Sequence, residues 1–182
     1  MIDLFSVPMI LLYAILYGTT MKIADLFNEH GLKSAKYADL FFGVMSGIFG
    51  AMLVLSNNII ANIVLAMNIA FILRRRIDRI NHALSLSIIA IAFLISIPIN
   101  IAVFLAFYFI FLIFGGLKDY VDDVMKKKKG LLVKLNEAML YYPIPTFIYC
   151  MLYGNWIVFY AFLLFMLSYN LTKYYAAKHG YD

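Results

Sequence analysis

A chain of 182 residues that is 65% apolar and only 14% charged, with a mean hydropathy of +0.89, lacks the polar cover a soluble domain needs. Composition therefore excludes a water-soluble globule, and a single cysteine, Cys150, excludes a disulfide scaffold. What remains is an all-α, polytopic membrane helix bundle, a single integral domain over residues 1–182.

Taken in chain order, the first apolar segment covers residues 4–21, long enough to cross a bilayer once. It follows Met1-Ile2-Asp3 with no basic stretch ahead of it, so a cleaved signal peptide is not expected. Residues 40–73, 83–117 and 138–172 then carry no charge at all. A straight helix of about 35 residues would measure about 52 Å, against about 30 Å of hydrocarbon, so each block must turn back once. Polar or helix-breaking residues mark the turning points: Ser56-Asn57-Asn58, Pro98-Ile99-Asn100 and Gly154-Asn155. The expected architecture is about seven transmembrane helices, one plus three hairpins, at roughly 4–21, 40–56, 59–73, 83–98, 100–117, 138–153 and 156–172.

Alternate crossing places all fifteen Lys and Arg, within residues 22–39, 74–82, 118–137 and 173–182, on one side of the membrane. The excess of bases on cytoplasmic loops makes that side the inside, with the N-terminus out and the C-terminus in, as expected of a multi-pass cell-membrane protein. The net charge of +5 is thereby accounted for by topology and by anionic membrane lipids, and no nucleic-acid partner is implied. No Asp, Glu, Lys, Arg or His falls within a span, which argues against proton pumps, ion-coupled carriers and voltage sensors. Asn62, Asn68, Ser46, Ser85 and Ser87 read as structural glue, bonding across helices or to their own backbone, and Cys150 as a small buried hydrophobe. Gly43, Gly47, Gly50 and Ala51 give the second span a small-residue face for a close neighbour. That neighbour is either another helix of this chain or a second copy, which would make a homo-oligomer.

The basic side carries three clusters. Lys22, Asp25 and Glu29 share one face if the first helix continues past the membrane, with Gly31 a candidate cap. Arg74-Arg75-Arg76-Ile77-Asp78-Arg79-Ile80-Asn81-His82 repeats the base, Asp, Asn spacing of Lys22, Asp25 and Asn28. Asp119, Asp122 and Asp123 stand at i, i+3 and i+4 beside Lys118 and Lys126–Lys129. Such a group needs a counter-charge, from the lysines or from Mg²⁺. The plain alternative is solvated helix-end pairs, Arg74 with Asp78 and Lys118 with Asp122. Three scattered histidines do not make a zinc site, and no phosphate loop, nucleophile elbow or dinucleotide fingerprint occurs.

The stretch from Lys118 to Gly130, with Asp119 and Asp122 at matching positions, resembles the second aspartate-rich motif of the UbiA prenyltransferase superfamily, K-D-x-x-D-x-x-x-D. Lys126 stands where the third acid would be, with Asp123 nearby. Asp78 and Asn81 match the end of that superfamily's first motif. The resemblance implies a helical membrane enzyme in which acids hold Mg²⁺ against an isoprenoid diphosphate at the cytoplasmic face. Carried onto this chain, the metal set is Asp78, Asp119, Asp122, Asp123 and Asp25, and the substrate-binding set is Arg75, Arg76, Arg79, Lys118 and Asn81. The function so implied is a Mg²⁺-dependent prenyl or lipid diphosphate transferase. Beside it stand a non-enzymatic membrane subunit or lipid-interacting scaffold, and a small-solute transporter.

Overall fold

The computed structural model describes residues 3–29, 37–77, 79–96, 99–121 and 130–181. Among them are eight α-helices and no strand: α1 (Val7–Glu29), α2 (Ala38–Ser56), α3 (Asn58–Leu73), α4 (Ile80–Ser96), α5 (Ile101–Asp119), α6 (Leu131–Glu137), α7 (Pro143–Tyr153) and α8 (Trp156–Lys178). Four of these, α1, α2, α5 and α8, are long and apolar enough to cross a bilayer. Large apolar side chains on the outer faces stay exposed, Leu94 at 84% and Leu152 at 72%, as a hydrocarbon solvent permits.

The helix breaks follow from local chemistry. Asn57 closes α2 in extended backbone and caps α3, its Oδ1 accepting from the Ile59 and Ile60 amides at 2.9 and 3.2 Å. Asn100 caps α5 by accepting from the Val103 amide, and Gly154, at φ 74°, ends α7 in the left-handed conformation that glycine adopts without a Cβ clash. At the start of the chain, Asp3 turns the backbone by accepting from the Phe5 amide, and Pro8 stands in the first turn of α1, where its missing N–H costs nothing. α1 runs on beyond its apolar part, through Lys22 and Asp25 to Glu29.

Packing departs from three simple hairpins. α1 lies between α2 and α8, α4 packs along α2, α5 packs along α3, and α7 returns along α8. The consecutive helices α4 and α5 thus lean on different neighbours. The small-residue face of α2 is covered by α4: a Cβ at Gly43 would stand 2.7 Å from the Asn81 Cβ and 2.8 Å from its Cα. Close approach is the reason for glycine there. Ser46 and Ser85 bond across the same seam at 2.8 Å.

The sixth expected span, 138–153, is helical only over Pro143–Tyr153, eleven residues and about 16 Å. Residues 138–142 form turns, with Met139 at φ 57°. Pro143 and Pro145 have no amide hydrogen to continue a helix into that stretch. Non-helical backbone in so apolar a stretch needs partners from the protein itself for its carbonyls. Here Asn170 donates to the Ala138 carbonyl at 3.1 Å, and Thr146 Oγ1 donates to the Tyr142 and Pro143 carbonyls. Tyr142, 1% exposed, is wedged between Phe111 and Phe165 with ring centroids 5.1 and 5.6 Å apart.

Candidate functional site

Above this aromatic floor, at the end of the bundle where α1, α3, α5 and α8 finish and α4 begins, lies a cavity of about 380 Å³. It is lined by Lys22 and Asp25 of α1, Arg74, Arg76 and Ile77 after α3, and Asn81, His82 and Ser85 of α4. Lys118 and Asp119 of α5, Glu137, the turn residues Met139, Tyr141 and Tyr142, and Tyr169 and Lys173 of α8 line it as well. Lys22, Arg74, Arg76, Lys118 and Lys173 face Asp25, Asp119 and Glu137, so the lining is cationic by two charges when His82 is neutral.

One half is built on guanidinium groups. α3 ends with Arg75 in the left-handed conformation at φ 58°, and the Arg76 amide reaches back to the Phe71 carbonyl at 3.0 Å while the Arg75 amide bonds Ile72. This reversal sends both Arg74 and Arg76 toward Asp119. Arg74 grips the carboxylate in a fork, Nε to Oδ2 at 2.7 Å and Nη2 to Oδ1 at 2.8 Å, and Arg76 adds Nε and Nη2 on Oδ1 at 2.8 and 2.7 Å. Three donors thus converge on Oδ1 and one on Oδ2. The Arg74 side chain is only 9% exposed. It occupies the space that any side chain at Gly115 would fill, and its Nη1 is buried with no hydrogen-bond partner.

The other half is built on α1, α4 and α8. Asp25, buried, bonds His82 Nε2 through Oδ1 at 2.8 Å and accepts from the Tyr169 hydroxyl through Oδ2 at 2.8 Å. Lys22, also buried, lies 5.5 Å from the Tyr169 ring centroid, a cation–π contact. Beside them Asn81 is 1% exposed, and neither its carboxamide nitrogen nor its oxygen has a partner.

A second, smaller hollow of about 140 Å³ runs between α3 and α4. Val54, Leu65, Ile69, Ile72, Ile89, Ala90 and Phe93 make it apolar, and Asn68 and Leu86 belong to its lining and to that of the main cavity alike. It exists because α4 leans on α2 while α5 leans on α3, leaving the α3–α4 seam open.

Of the expected substrate-binding residues, Arg76, Lys118 and Asn81 line the cavity, whereas Arg75 and Arg79 are exposed and stand outside it. Of the expected metal set, Asp25 and Asp119 line it, and Asp78, Asp122 and Asp123 lie outside the described residues, as does the run Lys126–Lys129. Among the described residues no group of three or more His, Cys, Asp or Glu is placed to hold a metal. Asp119 is taken up by two guanidiniums and Asp25 by His82 and Tyr169. Both of these carboxylates are thus engaged by side chains of the chain itself. The helix-end pairing of Arg74 is with Asp119, 45 positions away, while its expected partner Asp78 is outside the described residues.

Sequence reading missed Lys22, Arg74, His82, Tyr169 and Lys173 as members of one lining, and the turn at 138–142. The Tyr-Pro-x-Pro run at 142–145 was the available signal for the latter. Among the intramembrane polar residues, the expected glue is observed: Asn62 donates to the Asn58 carbonyl and accepts from the Asn100 amide at 2.9 Å, and Ser87 bonds the Ala83 carbonyl. Cys150 is buried, its thiol directed at the Asn155 carbonyl. Compared with known proteins, the chain matches no family, no curated protein and no solved structure.

Proposed function

We propose that this chain is a multi-pass cell-membrane protein whose cytoplasmic-face cavity takes the phosphate-bearing head of a lipid, the hydrocarbon leaving along the α3–α4 seam. The observation that carries the reading is the junction of two unlike spaces at Asn68 and Leu86: a cationic cavity with an unpartnered guanidinium nitrogen, and an apolar groove. An anion is the natural partner of an arginine whose fork is fixed by a carboxylate and whose remaining nitrogen is buried. A ligand filling both spaces is an amphiphile. Seven crossings with the N-terminus outside accord with this placement, since the bases that line the cavity belong to the loops assigned to the inside.

The UbiA-like resemblance points to the same chemical class, an isoprenoid phosphate, and the meeting of Asp25, Asn81 and Asp119 around one cavity supports it. Because Asp119 is held by two guanidiniums and Asp25 by His82 and Tyr169, no metal-dependent step is derived. Charge neutralisation by Arg74, Arg76, Lys118 and Lys173 is what these residues offer a bound phosphate.

The test is equilibrium binding to the detergent-solubilised protein of hexadecyl phosphate, hexadecanol and inorganic phosphate. Hexadecyl phosphate should bind at least tenfold more tightly than either fragment, and Arg76→Gln with Lys173→Gln should remove most of that advantage. Equal binding of hexadecanol would refute the anion site, and equal binding of inorganic phosphate would refute the amphiphile.

A further inference from the structure

Asn81 is the feature that phosphate binding leaves unexplained. It stands in the first turn of α4, its backbone pressed on Gly43, and it lines the cavity with both ends of its carboxamide unpartnered and 1% of its surface exposed. The polar groups around it are already engaged. Ser46 donates to the Gly43 carbonyl and is bonded to Ser85, and Asp25 is bonded to His82 and Tyr169. The carboxamide thus brings unfilled donors and an unfilled acceptor to the α1–α4 half of the lining.

That pairing of donor and acceptor decides the chemistry of its partner. A phosphate oxygen would satisfy the Nδ2 hydrogens but be repelled by Oδ1, which would stay buried and unpaired. An apolar group would satisfy neither. A hydroxyl satisfies both, accepting from Nδ2 and donating to Oδ1. We infer that Asn81 is a specificity-determining residue that reads a hydroxyl on the ligand's head group, so that the lipid is a phosphodiester of a polyol and not a bare alkyl phosphate. The inference rests on the phospholipid reading above and names the substrate class of the same cavity. A site built to pair with a hydroxyl discriminates against the analogue that lacks it, because its own polar atoms are then stranded.

The experiment compares phosphatidylglycerol with phosphatidylethanol of the same acyl chains. Both head groups carry one negative charge, and only the first carries free hydroxyls. Binding is measured by native mass spectrometry and by thermal shift of the purified wild-type protein and of Asn81→Leu, with phosphatidylcholine as reference. The expected result is a preference of about tenfold for phosphatidylglycerol in the wild type, worth one good hydrogen-bonded pair. In Asn81→Leu the preference should fall to near unity while phosphatidylethanol binding and the melting temperature are retained, since leucine removes stranded polar atoms at similar volume. A merely structural asparagine would lower the melting temperature and leave the preference intact. Equal affinities in the wild type would overturn the inference and assign the carboxamide to water, and so would a preference that survives in the variant. Absence of any preference for both anionic lipids over phosphatidylcholine, whose phosphate is balanced by its own choline, would instead overturn the anion-binding reading beneath it. If Asn81→Leu does not fold, the wild-type comparison alone decides.

Discussion

Two buried asparagines mark the difference between the ends of this molecule. At the turn end, Asn62 is fully buried, and its side chain donates to the Asn58 carbonyl and side chain and accepts from the Asn100 amide, locking the start of α3 to the start of α5. At the basic end, Asn81 is as deeply buried and bonds nothing. The turn end spends its polar groups on capping, through Asn57, Asn100 and Gly154. The basic end gathers an unwound segment, three non-glycine residues with positive φ and two side chains with stranded polar atoms. Strain and unmet hydrogen bonds concentrated around one cavity are what a site looks like, whereas satisfied groups are what a scaffold looks like.

That contrast is exposed to mutation, beginning with the largest effect. Asp119→Ala should destabilise the protein by about 2 kcal/mol or more, because it strands the buried Arg74, and a chemical-denaturation midpoint in mild detergent reads it. A smaller loss would show the pair to be solvated. Asn62→Leu should cost about 1–3 kcal/mol by leaving the Asn100 amide and the Asn58 groups without a partner, whereas Asn81→Leu should change stability by less than about 0.5 kcal/mol. Equal losses at the two positions would erase the contrast. Asn57→Ala should cost about 1 kcal/mol through loss of the α3 cap. Smallest of all, Arg75→Gly should stabilise by about 0.5–1 kcal/mol, since it relieves the left-handed backbone at an exposed position, provided phosphate binding does not need that side chain.

Much of the turn end was legible in the sequence, because its signals are local. Asn57, Asn100 and Gly154 act within three or four residues of themselves, and the alternation of apolar blocks with charged ones separates helix bodies from ends. The basic end was legible only as a set of clusters. Its decisive contacts are remote: Arg74 with Asp119 across 45 positions, Asp25 with His82 across 57, and Tyr169 with Asp25 across 144. Helix periodicity favours the local partner Asp78 for Arg74, and nothing in a linear pattern predicts that a Schellman reversal at Arg75 will turn two arginines onto another helix. Gly43 announced a close neighbour, but only packing shows that the neighbour is Asn81. The shortness of α7 was hidden because residues 138–142 are as apolar as the helix they precede.

The central claim, that the cationic cavity and the α3–α4 groove form one amphiphile site, is tested most directly by photo-crosslinking with an alkyl phosphate carrying a diazirine midway along its chain. Peptide mapping should recover adducts on α3 and α4 residues of the groove, such as Ile69, Ile72 and Ile89, with labelling competed by excess hexadecyl phosphate and lowered by Arg76→Gln. Adducts confined to the turn end or to the outer faces of α7 and α8, unaffected by competitor, would contradict the account.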